Sequence, residues 1–169
     1  MPASKTSARK YVVRSSPIHG RGVFASRRIR PGERIIEYTG DRVTNDELDR
    51  RLDGHVENGH TMLFTVDDEW TIDATQRGSA ARYINHSCEG NCATVHEDGR
   101  IFIEASRNIQ PGVELTYDYC LDIDGRITNE LKRLYQCNCG ASRCGGSLLV
   151  RARRRPNRAR AARTKTRSH

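Results

Sequence analysis

Three cysteines lie close together, Cys137, Cys139 and Cys144, and their C-x-C-x4-C spacing of soft thiolates reads as part of a metal site. Cysteines stand at six positions in all, 88, 92, 120, 137, 139 and 144, so a disulfide framework is the alternative reading. That framework belongs to short secreted chains, and the opening Met1–Ser16 is polar and basic with no apolar export segment. A second cluster, Arg82-Tyr83-Ile84-Asn85-His86-Ser87-Cys88, follows the small-residue run Gly78-Ser79-Ala80-Ala81. Asn85 offers a donor and an acceptor and His86 one of each, which suits a polar ligand. A lone histidine would more often be structural, but here an Asn precedes it and a Cys follows. In His19-Gly20-Arg21-Gly22 two glycines let a backbone approach a ligand closely, although a plain turn is the simpler reading. The string lacks the third glycine and following helix of a dinucleotide fingerprint, which excludes that site. No nucleophile–base triad is visible.

Short strands must position these groups. Tyr11–Arg14, Gly22–Ser26, Arg34–Thr39, Met62–Val66, Trp70–Ala74, Arg100–Ala105 and Glu114–Tyr119 are rich in β-branched or aromatic residues and bounded by turn signals. Asp98-Gly99 predicts a hairpin between Ala93–His96 and Arg100–Ala105. Arg30-Pro31-Gly32-Glu33 and Gln110-Pro111-Gly112-Val113 each place Pro then Gly as a type II turn requires. Thr44-Asn45-Asp46-Glu47 reads as a capping box opening a helix that turns Leu48 and Leu52 inward. A second helix is expected from Thr128 to Tyr135, with Leu131, Leu134 and Tyr135 on one face. The fold class is mainly β with short helices.

Residues 25–34 (ASRRIRPGER) match 105–114 (ASRNIQPGVE) at six of ten positions, and each copy leads into tyrosine-bearing strand, Tyr38 after the first, Tyr117 and Tyr119 after the second. Convergent turn chemistry explains this blandly; two units delivering tyrosines to one place is the sharper reading.

A chain of 169 residues has room for one domain, and no run of 18 apolar residues is present to span a membrane. The formal charge is +8, but residues 151–169 hold nine Lys and Arg with no acid and residues 1–10 hold three, leaving about −4 between them. Two basic ends on an acidic body are expected, both disordered when free.

Together with Glu114-Leu115-Thr116-Tyr117-Asp118-Tyr119 and Cys137-Asn138-Cys139-Gly140-x3-Cys144, the strings above resemble the SET-domain protein lysine methyltransferases, nearest to the trithorax-like branch with a post-SET segment. The resemblance runs in order from about Tyr11 to Leu149. It implies small curved sheets with a threaded segment around Asn85-His86, and divides the chain into a basic arm 1–10, a SET domain 11–120, a helical connector 121–136, a post-SET zinc segment 137–149 and a basic arm 150–169. By the same resemblance His19, Gly20, Arg21 and Gly22 contact S-adenosylmethionine, the Arg82, Tyr83, Asn85 and His86 segment binds it, and Asn138 closes over it. Tyr119 matches the catalytic tyrosine, Tyr38 shapes the lysine channel and Tyr117 occupies the position that chooses between Phe and Tyr. Cys88 would join Cys137, Cys139 and Cys144 around zinc, with Cys92 a competing ligand. Two departures stand out: Met62 replaces a tyrosine that packs on the cofactor, and Glu89-Gly90-Asn91 replaces x-Pro-Asn, which predicts a looser turn near the metal.

The resulting expectation is an S-adenosylmethionine-dependent lysine methyltransferase acting on a basic protein, histone or histone-like, inside a bacterial cytoplasm or a nucleus and without membrane attachment. The alternative is a zinc-stabilised, non-catalytic module whose basic arm binds nucleic acid; that arm is equally well a solubilising charge. Within it, Ala162-Arg163-Thr164-Lys165 repeats the four residues that open a core histone's tail, and Ser7-Ala8-Arg9-Lys10 has a similar frame. Short matches of this kind also arise by chance in an Ala/Arg-rich arm.

Overall fold

Two Pro-Gly turns, eighty residues apart, lock onto each other at the centre of the molecule. The structure is a computed structural model, and it describes residues 9–52, 62–121 and 126–149. In it Ile29 and Ile109 exchange both backbone hydrogen bonds at 2.9 Å. The Gly32 N–H donates to the Ala105 carbonyl at 2.8 Å, and its counterpart, the Gly112 N–H, donates to Ala25 at 2.7 Å. The Ala25 N–H reaches Val113 O at 2.9 Å and the Ala105 N–H reaches Glu33 O at 3.1 Å. Each bond has its partner at the same offset, so the sequence repeat is a reciprocal pairing in space. Gly32 (φ 73°) and Gly112 (φ 83°) hold the positive φ that both turns need.

Four small sheets surround this pairing. β1 (Tyr11–Ser15) and β2 (Arg21–Ala25) form an antiparallel hairpin. β3 (Arg34–Tyr38), β8 (Cys92–Glu97) and β9 (Arg100–Ala105) form a sheet of order β3-β9-β8, with Asp98 and Gly99, both at positive φ, making the expected hairpin turn. β4 (Asp41–Thr44), β5 (Leu63–Thr65) and β6 (Trp70–Asp73) form a third sheet, ordered β4-β6-β5. The fourth is minimal: β7 (Asn85–His86) runs parallel to β10 (Thr116–Tyr117). Val23, Ile29, Ile84, Ile101, Ile103, Ile109 and Leu115 are fully buried where the sheets meet.

Helix α1 (Asn45–Leu52) begins where expected, but only half of the capping box forms. The Glu47 N–H donates to Thr44 Oγ1 at 3.2 Å, whereas Thr44 is a strand residue paired with Trp70 and the Glu47 carboxylate turns to Arg50 and Arg51. Leu48 is half-buried; the Leu52 side chain lies outside the described residues. In α2 (Asn129–Leu134), capped by Thr128, Leu134 is 39% exposed rather than inward, because so short a helix turns only Leu131 and the following Tyr135 onto the cysteine-rich cluster. A 3-10 turn at Ala80–Tyr83, not expected from the sequence, is capped by Ser79, whose Oγ also donates to Glu37 O at 2.6 Å. Of the arms 1–10 and 150–169, expected to be disordered, residues 1–8 and 150–169 lie outside the described residues, whereas Arg9 and Lys10 are held against the fold, Arg9 O accepting from Ser26 and Lys10 donating to Arg34 O.

Candidate active site and metal centre

Asn85 and His86 sit on β7, an element of two residues that nothing in local propensity would hold. Its neighbours hold it instead. Asn85 Nδ2 donates to His19 O (3.2 Å), Arg21 O (3.0 Å) and Glu114 Oε1 (2.8 Å), and Ser16 Oγ donates to the same carboxylate oxygen at 2.7 Å. Glu114 therefore fastens the loop before β2 to the centre of the molecule. Gly22 is required beside it, because a Cβ there would run into the Glu114 carboxylate.

On its other side β10 is gripped by the turn that follows β7. The Ser87 N–H donates to Tyr117 O (3.0 Å) and the Asn91 N–H to Thr116 O (3.0 Å). The Asn91 side chain completes the grip, donating to Glu114 O at 2.7 Å and accepting from the Thr116 N–H at 3.0 Å. A side-chain amide here stands in for a missing strand. Gly90 does not loosen this turn, as the sequence comparison with x-Pro-Asn suggested. Its backbone lies so close that a Cβ would stand 2.7 Å from Tyr117 Cα, and its N–H donates to Ser87 O at 3.2 Å, a bond proline would forfeit.

The result is a cleft lined by four separate segments: Ile18 and His19 before β2, Asn85 and His86 on β7, Tyr119 after β10, and Gln136, Cys137, Asn138 and Leu148 from the chain beyond α2. Of the residues expected to bind cofactor, His19, Asn85, His86 and Asn138 meet here. Arg21, Arg82 and Tyr83 are placed otherwise: the Arg21 guanidinium stacks over the Tyr83 ring (4.4 Å), and Arg82 donates to Ala74 O, Thr75 O and the Tyr83 hydroxyl. Gly20, at φ 48°, shapes the loop without lining the cleft. Met62 packs against the main core.

Tyr119 also belongs to an aromatic cluster. Its ring lies 4.9 Å from Tyr117, Tyr117 lies 6.4 Å from Phe64, and Phe64 lies 5.1 Å from Tyr38. The two halves of the internal repeat thus do deliver their tyrosines to one place. Phe64, which joins them, was not singled out from sequence because a phenylalanine in a strand reads as ordinary core. The Tyr119 hydroxyl donates to Ile84 O at 2.7 Å and its backbone N–H donates to His86 Nδ1 at 3.1 Å. Burial pushes the Tyr38, Tyr117 and Tyr119 phenols well above their ordinary range, so all three stay protonated at neutral pH.

Behind the cleft the four expected thiols converge across the fold. Cys88 Sγ lies 3.9 Å from both Cys137 Sγ and Cys144 Sγ, and all six cysteines are free. Zinc–thiolate bonds of about 2.3 Å place tetrahedral sulfurs about 3.8 Å apart, so this spacing fits an ion and is far too long for a disulfide. A competing donor set is His86, Cys88, Cys137 and Cys139, mutually within 4.8 Å. Hydrogen bonding decides between them. Burial lowers the His86 pKa against the opposing pull of Asp118, keeping the ring neutral, and Nδ1 already accepts from Tyr119. The ring proton is then on Nε2, which faces Cys88 Sγ at 3.3 Å as a donor and not as a metal ligand. Cys144, close to Cys88, accepts from the Gly146 N–H at 3.4 Å and completes the group of four thiols. Cys92 is buried on β8 with its thiol directed to Asn91 Oδ1, so it does not compete. Glu89 secures the segment from outside through Arg143 (2.8 Å) and Ser142 (3.0 Å).

A family model described as SET domain matches residues 20–120. Histone-lysine N-methyltransferase 2B of Homo sapiens is 44% identical over 145 residues, covering 83% of this chain and 5% of that protein. The Candida albicans protein "Histone-lysine N-methyltransferase, H3 lysine-4 specific" is 40% identical over 139 residues, covering 79% of this chain and 13% of its own. Among solved structures, one described as "ctPRC2 in an autoinhibited conformation bound to S-adenosylmethionine" matches with a TM-score of 0.60 and 36% identity over 67% of this chain and 15% of that one. The chain spans only a small part of the relatives' length.

Proposed function

The chain belongs to the SET-domain family, and on that premise we propose that it transfers a methyl group from S-adenosylmethionine to the side-chain amine of lysine in a basic protein, a histone or histone-like protein. One observation carries the reading: Tyr119 is at once a wall of the cleft and a member of the aromatic cluster, so a cofactor in the first and a lysine in the second would meet at its ring. When bound, S-adenosylmethionine supplies a sulfonium-activated methyl group. The cleft's donor set suits it, since Asn85 and His86 are held rigidly on β7 and exposed His19 and Asn138 flank the opening.

Lysine arrives as an ammonium with an ordinary pKa of about 10.4. Loss of hydration in the channel walled by Tyr38, Phe64, Tyr117 and Tyr119, next to the positive sulfonium of bound cofactor, disfavours that charge, so the proton leaves to solvent on entry. The three phenols remain neutral and orient the amine by hydrogen bonding; none is a base at pH 7. Tyr119 is the residue best fixed for this, its hydroxyl tied to Ile84 O and its backbone to His86. Cys88, Cys137, Cys139 and Cys144 would hold a structural zinc that keeps the fourth wall of the cleft in place. No helix among the described residues is long and apolar enough to cross a membrane. The histone-lysine relatives support a place on chromatin or an equivalent basic DNA-bound protein.

The test is Tyr119→Phe assayed with labelled cofactor and histone. Transfer should fall at least a hundredfold while the cofactor Kd stays within about threefold; full activity in this variant sinks the assignment.

A further inference from the structure

We propose that Lys165 is itself a methyl acceptor, entering the aromatic site of its own molecule; this rests on the methyltransferase reading above. Three observations lead to it. Lys165 follows Ala162-Arg163-Thr164, the three residues that precede lysine 4 in the histone tail, and a 40%-identical relative is described as specific for that lysine. The described chain also ends at the cofactor cleft, which shares Tyr119 with the aromatic site. Leu148 lines the same cleft as Tyr119, and Leu149 bridges Leu121, two residues beyond Tyr119. The sixteen residues from Leu149 to Lys165 can span at most about 50 Å, so their length lets Lys165 reach the aromatic site of the same molecule.

Two of the chain's three other lysines are less suited, and the third, Lys5, lies outside the described residues. Lys10, in the similar Ser7-Ala8-Arg9 frame, donates to Arg34 O at 2.6 Å and lies 3.4 Å from the Glu33 carboxylate, so its amine is engaged in the fold. Lys132 lies in helix α2, whose backbone is closed on itself and not extended. The reaction balances without any further reagent. Lys165 loses its ammonium proton to water, its nitrogen forms a bond to the methyl carbon of S-adenosylmethionine, and the carbon–sulfur bond breaks with its electron pair returning to sulfur. The products are methyl-lysine and S-adenosylhomocysteine.

The experiment incubates the full chain with S-adenosylmethionine, maps methylated lysines by mass spectrometry, and runs a synthetic peptide beginning Ala-Arg-Thr-Lys in parallel. We expect methyl on Lys165 at a rate per molecule that is unchanged over a tenfold dilution of the protein, and none in Lys165→Arg. Lys165→Arg should also raise the rate on a sub-saturating peptide several-fold by removing an internal competitor. Methylation of the peptide with none on Lys165 overturns the proposal and leaves the enzyme reading standing. A Lys165 rate that falls in proportion to dilution overturns the intramolecular route. If neither peptide nor Lys165 is methylated by protein that binds the cofactor, both readings fall.

Discussion

Replacing Asn91 by alanine should damage this protein severely, although the residue lies outside the aromatic cluster. The Asn91 side chain is 5% exposed and serves Glu114 O and the Thr116 N–H together, at 2.7 and 3.0 Å, with Thr116 itself only 7% exposed. Alanine leaves both backbone groups unpaired where water does not reach them. Each such loss costs about 1–3 kcal/mol, so the variant should lose about 2–5 kcal/mol, a large share of the 5–15 kcal/mol typical of a domain. At about 2–4 °C per kcal/mol for a chain of this size, the Tm should drop by about 5–15 °C in a circular dichroism melt. Activity should fail earlier than folding, because Tyr117 and Tyr119 follow directly on the released segment. Asn91→Asp separates the two bonds. It keeps the acceptor for Thr116 but turns a carboxylate toward the Glu114 carbonyl, raising its own pKa in the folded state. Its deficit should therefore be small at pH 5, where the acid is protonated and donates, and grow as pH rises through that raised pKa. An Asn91→Ala protein melting within 2 °C of the native chain, with unchanged turnover at 25 °C, would refute the claim that this amide replaces a strand.

Elemental analysis should find about one zinc per chain, and stripping it with a strong chelator should lower the Tm by more than 10 °C; a metal-free protein of native Tm contradicts the four-thiolate site. Transfer rate should climb with pH from 7 towards 9, because the neutral fraction of substrate lysine grows while the buried phenols, all raised above their ordinary range, stay protonated. A falling limb below pH 9 in still-folded protein would mean that one of them ionises. Tyr117→Phe should move product from chiefly monomethyl-lysine towards di- and trimethyl-lysine by mass spectrometry, since losing that hydroxyl frees space beside the amine; abundant early trimethyl product from the native chain counts against it.

The sequence is most legible where one residue type has a single physical reason to be present. Gly32, Gly112 and Gly99 occupy positive φ as their turns demand, and the repeat around them is a true reciprocal pairing. The approach of Cys88 to the distant cysteine triplet was legible too, through the resemblance that joined them. What stayed hidden depends on partners far along the chain. β7 is two polar residues with no alternation, and only β10 and the Glu114 clamp make it a strand. β4 buries Val43 alone, and Thr44, whose hydroxyl does cap the helix, is also the last residue of that strand. Arg21, Arg82 and Tyr83, assigned to the cofactor through the resemblance, lie off the cleft wall, with Arg21 stacked on Tyr83 and Arg82 bonded to Ala74 O, Thr75 O and the Tyr83 hydroxyl. Glu114, Asn91 and Phe64 carry the site's geometry through contacts that no local spacing announces.

The reciprocal pairing of the two Pro-Gly turns also has a bearing on synthesis. A ribosome delivers residue 29 some eighty positions before residue 109, and at about 5–20 residues per second that gap lasts roughly 4–16 seconds. Throughout it, Ala25, Ile29 and Gly32 present backbone donors and acceptors and a buried isoleucine with nothing to receive them. A nascent chain halted before Ala105 thus carries one half of a two-part clasp, open to pairing with the same half on a neighbouring polysome. Fast translation through 81–112 would shorten that exposure, and a stall there would lengthen it.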